Sequence, residues 1–327
     1  MTTGNSLILQ LGKEASYAVT PMADSTFRLH ASKADFEPVY DKKNTGELTG
    51  GKTAAKVETM YIKVEGSTDH GVRPDEVGLI LKALLGVEAT PDLVVGSTDA
   101  YSHIFTAIGT SESDHLPSLA ARISRGGIVQ GYSGLKINSV SFSAAPGDFL
   151  KMSITYVGKD EIATTLTAAL LPSSLKTLKF HHATCKLNGD AIADVSNIKL
   201  DYNNNLMVDT QTTSTGLYAK EPEAGQRDIT IELEALYSSA AEASRASFYK
   251  TDAIFALEIV FTSDEEIETG FPYEMTWSIA NAQMQSAPRA VSGASDPNKI
   301  TFTAKAIEDG ADPLIEVELI NARGTVY

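Results

Sequence analysis

The chain of 327 residues contains a single cysteine, Cys185, so no intrachain disulfide can form, and the sequence is read as that of a protein made in a reducing compartment. It lacks long apolar runs. The longest, at 79–85 and 166–171, fall well short of the ~20 residues a membrane helix needs. The N-terminus shows neither the basic nor the apolar stretch of a secretory signal. These absences predict a chain that is neither secreted nor membrane-bound. Positive charge is scarce as well: 27 Lys and Arg stand against 42 Asp and Glu, a formal net charge of -15, and neither half of the chain is basic. Wrapping nucleic acid through phosphate contacts is excluded on that ground. The acidity fits a surface past which nucleic acid slides without sticking, and it equally fits plain solubility.

The residues of catalysis and metal binding are present but not arranged for chemistry. Six histidines, His30, His70, His103, His115, His181 and His182, form no HExxH motif. On a strand, His181 and His182 would point to opposite faces and could not chelate one ion. Gly131-Tyr132-Ser133-Gly134 resembles part of a nucleophile elbow, but Leu135 stands where the last glycine is needed, and a strand pattern follows instead of a helix; it is read as a turn. Ser124-Arg125-Gly126-Gly127 has no Lys-Ser or Lys-Thr after it to cradle a phosphate. The acidic run Asp264-Glu265-Glu266 reads as a solvated turn. The expectation is a protein with no catalytic residues, no cofactor and no metal.

What the chain does have is 43% hydrophobic residues, enough for a real core, and a length suited to two domains. Period-two alternation dominates: 57–65, 135–143, 149–157, 228–236, 254–262, 273–280, 299–306 and 314–320 are rich in Ile, Val, Thr, Tyr and Phe and are separated by Gly, Asn, Asp and Pro. They predict half-buried antiparallel strands. Two stretches predict helices. In 74–85, Pro74 suits the first helical position, Asp75 and Glu76 the first turn, and Val77, Ile80, Leu81, Leu84 and Leu85 one apolar stripe, with Gly86 as the stop. In 239–250 a serine cap, an early Glu242 and a late Lys250 mark a second helix.

Both helices fall between two strands, and each half opens with a short strand (27–31 and 197–202) followed by a long polar stretch (33–56 and 203–226). This order predicts an internal duplication of a β-rich unit with one packed helix. The division is 1–20 as an N-terminal arm, 21–165 as the first domain, 166–179 as a linker and 180–327 as the second domain. Structureless connections this long are uncommon inside a domain. Each polar stretch is therefore expected to be a projecting β-hairpin that contacts a neighbouring subunit. In the first, Asp41, Lys42, Lys43, Asn44, Gly46, Gly50, Gly51 and Lys52 are the candidate arm residues.

Gly12-Lys13-Glu14, Tyr17 and Thr20-Pro21 stand in the pattern G-K-E-x-x-Y-x-x-T-P, which resembles the opening of a family of phage tail tube proteins. Further points of likeness are the stretch 134–143 with Pro146-Gly147-Asp148, then Val195-Ser196-Asn197-Ile198 with Asn203-Asn204-Asn205-Leu206, and Asn321 near the end. The resemblance implies β-sandwich or half-barrel tube domains, each with a flanking helix and a long hairpin arm. Such domains join their inner sheets around a channel, in rings that stack into a tube for DNA. Two tandem domains imply a homotrimer with pseudo-sixfold symmetry; without the duplication a hexamer follows. Further implied partners are the tape measure, the baseplate or tip, and the terminator, in a virion tail assembled in the host cytoplasm. DNA would pass without specific binding. Alternation on 228–236 places Asp228, Thr230, Glu232 and Glu234 on one face, the candidate channel surface, although the same face also suits outer solvent. The matching face of the first half, Thr59, Tyr61, Lys63 and Glu65, is mixed in charge. A virion-surface or adhesin-like β-sandwich binding module is the alternative. Such a module exposes aromatic residues in loops, whereas the one tryptophan, Trp277, falls within an alternating strand.

Overall fold

The computed structural model describes residues 7–19, 21–44, 46, 56–109, 115–171, 176–192, 194–208, 211–290, 297–308 and 312–327. It is mainly β. In chain order the elements are β1 (Leu7–Glu14), β2 (Pro21–Leu29), β3 (Lys33–Asn44), β4 (Val57–Gly71), α1 (Pro74–Leu85), β5 (Gly86–Glu88), β6 (Asp92–Leu93), β7 (Tyr101–Ala107), β8 (Leu119–Arg125), β9 (Ile128–Ala144), β10 (Lys151–Gly158) and β11 (Asp160–Ile162). They continue as β12 (Ala183–Leu187), β13 (Asp190–Ala191), β14 (Val195–Asn203), β15 (Asp228–Leu236), α2 (Ser239–Ser244), β16 (Ile254–Glu268), β17 (Phe271–Ser286), β18 (Arg289–Ala290), β19 (Lys299–Ala306) and β20 (Glu316–Asn321). Antiparallel pairings link all these strands into one large sheet network.

The pairings repeat. β3–β4, β4–β10, β10–β9, β9–β11, β9–β8, β8–β1 and β1–β2 are matched in the same chain order by β14–β15, β15–β19, β19–β17, β17–β20, β17–β16, β16–β12 and β12–β13. The two sets are joined where β14 pairs with the end of β9, from Ile198 opposite Ala144 to Asn203 opposite Ser139. A continuous run β3–β4–β10–β9–β14–β15–β19–β17 results. A second tie comes from β7, which lies before β8 in the chain yet pairs with β20 near the C-terminus.

Alternation decides which face is buried. On β15, Ile229, Ile231, Leu233 and Ala235 are buried, and Asp228, Thr230, Glu232 and Glu234 are half-exposed on the other face. One apolar cluster runs through both sets of strands, with Phe142, Tyr156, Tyr202, Phe261 and Trp277 among its large members. Helix α1 has the predicted bounds, and Gly86 stops it at φ +96. It is buried on more than the predicted stripe: Gly78, Leu79 and Ala83 are covered too, because the helix is enclosed, and a Cβ on Gly78 would fall 2.2 Å from the Tyr327 ring. The second helix is capped by Ser238, whose side chain accepts from Ala241 N; it turns to π geometry over Arg245–Tyr249. No described helix is long and apolar enough to cross a membrane.

Several local expectations change. The N-terminal stretch read as an arm is, over Leu7–Glu14, a strand with Leu9 and Leu11 in the core. Within 33–56, Lys33–Asn44 is a full strand in ladder with β4 from Lys33 opposite Asp69 to Asn44 opposite Val57. The stretch 203–226 is no second ladder. Past Asn203 it leaves β14, and its described part folds back over β4, as set out below. Gly131-Tyr132-Ser133-Gly134 is not a turn. It lies inside β9, where the strand passes from β8 and β11 to β10 and β14. The true turn is Gly126-Gly127, both at positive φ, as a tight hairpin demands. The acidic run 264–266 lies within β16. His181 and His182 sit in a 3-10 turn, with ring centroids 4.6 Å apart, instead of on opposite faces of a strand.

Candidate functional site

The half-exposed face of the continuous run carries one row of side chains held in register. Asp69 on β4 is opposite Ser153 on β10, which is opposite Ser141 on β9; Ser141 is opposite Asp201 on β14, which is opposite Thr230 on β15, and Thr230 is opposite Lys305 on β19. The serines bind the acids beside them: Ser153 Oγ donates to Asp69 Oδ1 at 2.6 Å, and Ser141 Oγ donates to Asp201 Oδ1 at 2.6 Å. The second of these bonds crosses the joint between the two strand sets.

Asp228, Thr230, Glu232 and Glu234 do share one face, but that face is not a bare acidic surface. Lys305 Nζ lies 3.0 Å from Asp228 Oδ1, Lys299 Nζ lies 2.7 Å from Glu234 Oε1, and Lys199 Nζ lies 2.6 Å from Asp201 Oδ2. Glu234 also accepts from Ser196 Oγ, and the Lys299 ammonium holds its carboxyl below the usual range. Glu232 is opposite Lys199 and Thr303. The face is thus hydroxyl-rich and close to charge-compensated. In the first half, Lys63 pairs with Glu65 at 2.9 Å, while Tyr61 is engaged elsewhere.

The candidate arm stands out from this sheet. Asp41, Lys42, Lys43 and Asn44 are exposed on the far end of β3, as is Gly46 beyond it; Gly50, Gly51 and Lys52 lie outside the described residues. Across the ladder, Val57 and Met60 are exposed, and Tyr40 on β3 is 47% exposed.

The quoted N-terminal motif proves to be a buried knot. Glu14 accepts from Ala18 N at 2.9 Å and from Gly134 N at 3.0 Å, and burial raises its carboxyl pKa. Gly134 has φ +67, and a Cβ there would sit 3.0 Å from the Tyr17 ring. Thr20 lies outside the described residues. Two residues on, Lys136 is 1% exposed; its Nζ donates to Pro222 O at 2.9 Å and meets Glu221 at 2.7 Å. Reasoning from sequence missed Lys136, because in an alternating strand a lysine flanked by Leu135 and Ile137 reads as facing solvent. Asn321 is fully buried and donates to Pro74 O and Tyr327 Oη, tying β20 to α1. Trp277 is buried in the core. Among the described residues, no group of three His, Cys, Asp or Glu could hold a metal ion.

A polar sheet face of hydroxyls and paired charges, backed by one apolar core and flanked by a hairpin that stands clear of it, is the build of an all-β structural subunit. The chain belongs to the phage tail tube protein family, whose model matches residues 4–318. It is accordingly a structural protein of the virion tail, in a family that self-assembles and associates with other tail proteins. No curated protein matches the chain.

Proposed function

We propose that the chain forms rings that stack into the hollow tail tube, and that DNA passes along the half-exposed face of the run β3–β4–β10–β9–β14–β15–β19–β17. The observation that carries this reading is the joint at β9–β14. Two like quartets, β3–β4–β10–β9 and β14–β15–β19–β17, are already in series within one chain. Read as two tandem tube domains, about 21–165 and 180–327, three copies complete a ring of six units; the hexamer is the alternative. Closure of the ring removes open sheet edges, and head-to-tail stacking of rings propagates a filament.

Asp228, Thr230, Glu232 and Glu234 then face the channel with the serine row beside them. Compensated charge and short hydroxyls suit a wall that neither grips phosphate nor repels it across a long distance. The β3–β4 hairpin bridges subunits. Tape-measure, baseplate or tip, and terminator proteins are the further partners, met during assembly in the host cytoplasm. Electron microscopy of the concentrated protein tests the ring: hollow stacks with threefold or sixfold end views are expected. Tubes of another symmetry defeat the tandem reading. Replacing Glu232 and Glu234 with Lys tests the channel. Tubes should still form while DNA delivery falls, and undiminished infectivity sinks the assignment.

A further inference from the structure

The two halves superpose by their shared registers. Gly71 opposite Lys151 corresponds to Leu236 opposite Lys299, and Thr155 opposite Ser139 corresponds to Thr303 opposite Ser286. On this correspondence Met60, Tyr61 and Ile62 map to Gly225, Gln226 and Arg227. Asn138 maps to Gln285, and Asp160, opposite Ser133 on β9, maps to Leu314, just before β20.

That patch of the first half is covered by the chain itself. The excursion between β14 and β15 lies over it: Ile62 N donates to Leu217 O at 2.9 Å, Tyr61 Oη to Val208 O at 2.6 Å, and Gln211 Nε2 to Met60 O at 3.1 Å. Tyr218 Oη donates to Asp160 Oδ2 at 2.8 Å, and Leu206 N donates to Asn138 Oδ1 at 3.0 Å. Among the described residues, the corresponding patch of the second half is an open groove of about 890 Å³, with Gly225, Gln226, Arg227, Gln285 and Leu314 in its lining.

Since the excursion of the second half fills the first patch, the excursion of a first half is the matching occupant of the second. It is the β3–β4 hairpin, which exposes Tyr40 and carries Lys42 and Lys43. It cannot come from the same chain, because β3 and the strands beside the groove stand at opposite ends of the eight-strand run. We propose that the groove at Gly225–Arg227, Gln285 and Leu314 is the docking site for the β3–β4 hairpin of a second copy. The proposal deepens the tube reading and rests on it. Lys42 corresponds to Leu206, so it docks beside Gln285.

The test is disulfide trapping between two single variants, Lys42→Cys and Gln285→Cys, mixed under assembly conditions. The native Cys185 is buried, with its thiol pushed up to about 12, and stays silent. Both replaced residues are exposed, so the fold is retained. The control pairs Lys42→Cys with Asp148→Cys, at the far end of the sheet. Cross-linked dimer from the Lys42–Gln285 mixture should exceed the control by roughly tenfold or more, because docking raises the effective concentration of the pair. Tubes that form with no Lys42–Gln285 excess, or with the Asp148 pair favoured, overturn the groove and leave the tube reading standing. A mixture that neither assembles nor cross-links at any concentration overturns both.

Discussion

Trp277 on β17 packs against Phe142 on β9 with ring centroids 4.9 Å apart, and the two strands belong to different repeats of the pairing order. Phe261 closes on the same indole at 5.4 Å. The tryptophan therefore holds the two halves together. Trp277→Ala should cost about 3–5 kcal/mol, the range for a large aromatic removed from a packed core. Chemical denaturation should show it as a lower midpoint. If the two halves then unfold in separate steps, the coupling role of the indole is established.

Lys136 secures the excursion between β14 and β15 to β9. Lys136→Ala leaves the buried Pro222 carbonyl without its donor and should cost about 1–3 kcal/mol. Because Glu221 is 30% exposed, water recovers part of its loss. Hydrogen exchange should quicken locally, at the amide of Ile62, which donates to Leu217 O within the same contact.

Gly134→Ala should destabilise by about 1–3 kcal/mol, since a side chain at φ +67 is strained and the new Cβ meets Tyr17. Tyr17→Leu in the same chain should recover only part of the steric cost, because Lys159 Cβ lies at the same 3.0 Å. A thermal melt of the single and double variants separates the two contributions.

Glu268 ties the β16–β17 hairpin to the loop before β7. Its carboxylate accepts from Ser97 Oγ, from Thr98 Oγ1 at 2.8 Å and from Thr98 N at 2.7 Å, and these bonds lower its pKa from 4.5 to about 2. A depressed carboxyl stabilises the fold above its unfolded value, and that contribution is lost as pH falls from 4.5 through about 2. Glu268→Gln should flatten this part of the stability–pH curve and leave the neutral range nearly parallel to wild type. An unchanged acid limb would show that the clasp is not formed in solution.

Much of the fold was legible because local and global signals agreed. Pro74 at the helix start, the apolar spacing after it and Gly86 at φ +96 fixed α1 to the residue. Alternation on 228–236 gave both faces of β15. Lys33–Asn44 escaped because its far part is exposed on both faces, so no alternation marks it as a strand. The charge of the polar face also escaped. Asp228 and Glu234 look unopposed along the sequence, yet Lys305 and Lys299 reach them from β19, next to β15 in the sheet but four strands later in the chain. Cross-strand compensation has no local signature. Similarly, the motif Gly12-Lys13-Glu14 with Tyr17 was visible as a pattern, but only the fold shows that Glu14 exists to bind Gly134 N.

The pairing of β7 with β20 has a consequence for synthesis. Tyr101 must wait for Asn321, and His103 for the Arg323 carbonyl it contacts at 2.7 Å, across nearly the whole second half of the chain. At 5–20 residues per second a ribosome needs roughly 10–40 s to bridge that interval. Throughout it, the first half carries an unfilled strand position and an uncovered face of α1. Residues 316–323 complete the first half, so a chain that stops short of them is defective in both halves at once.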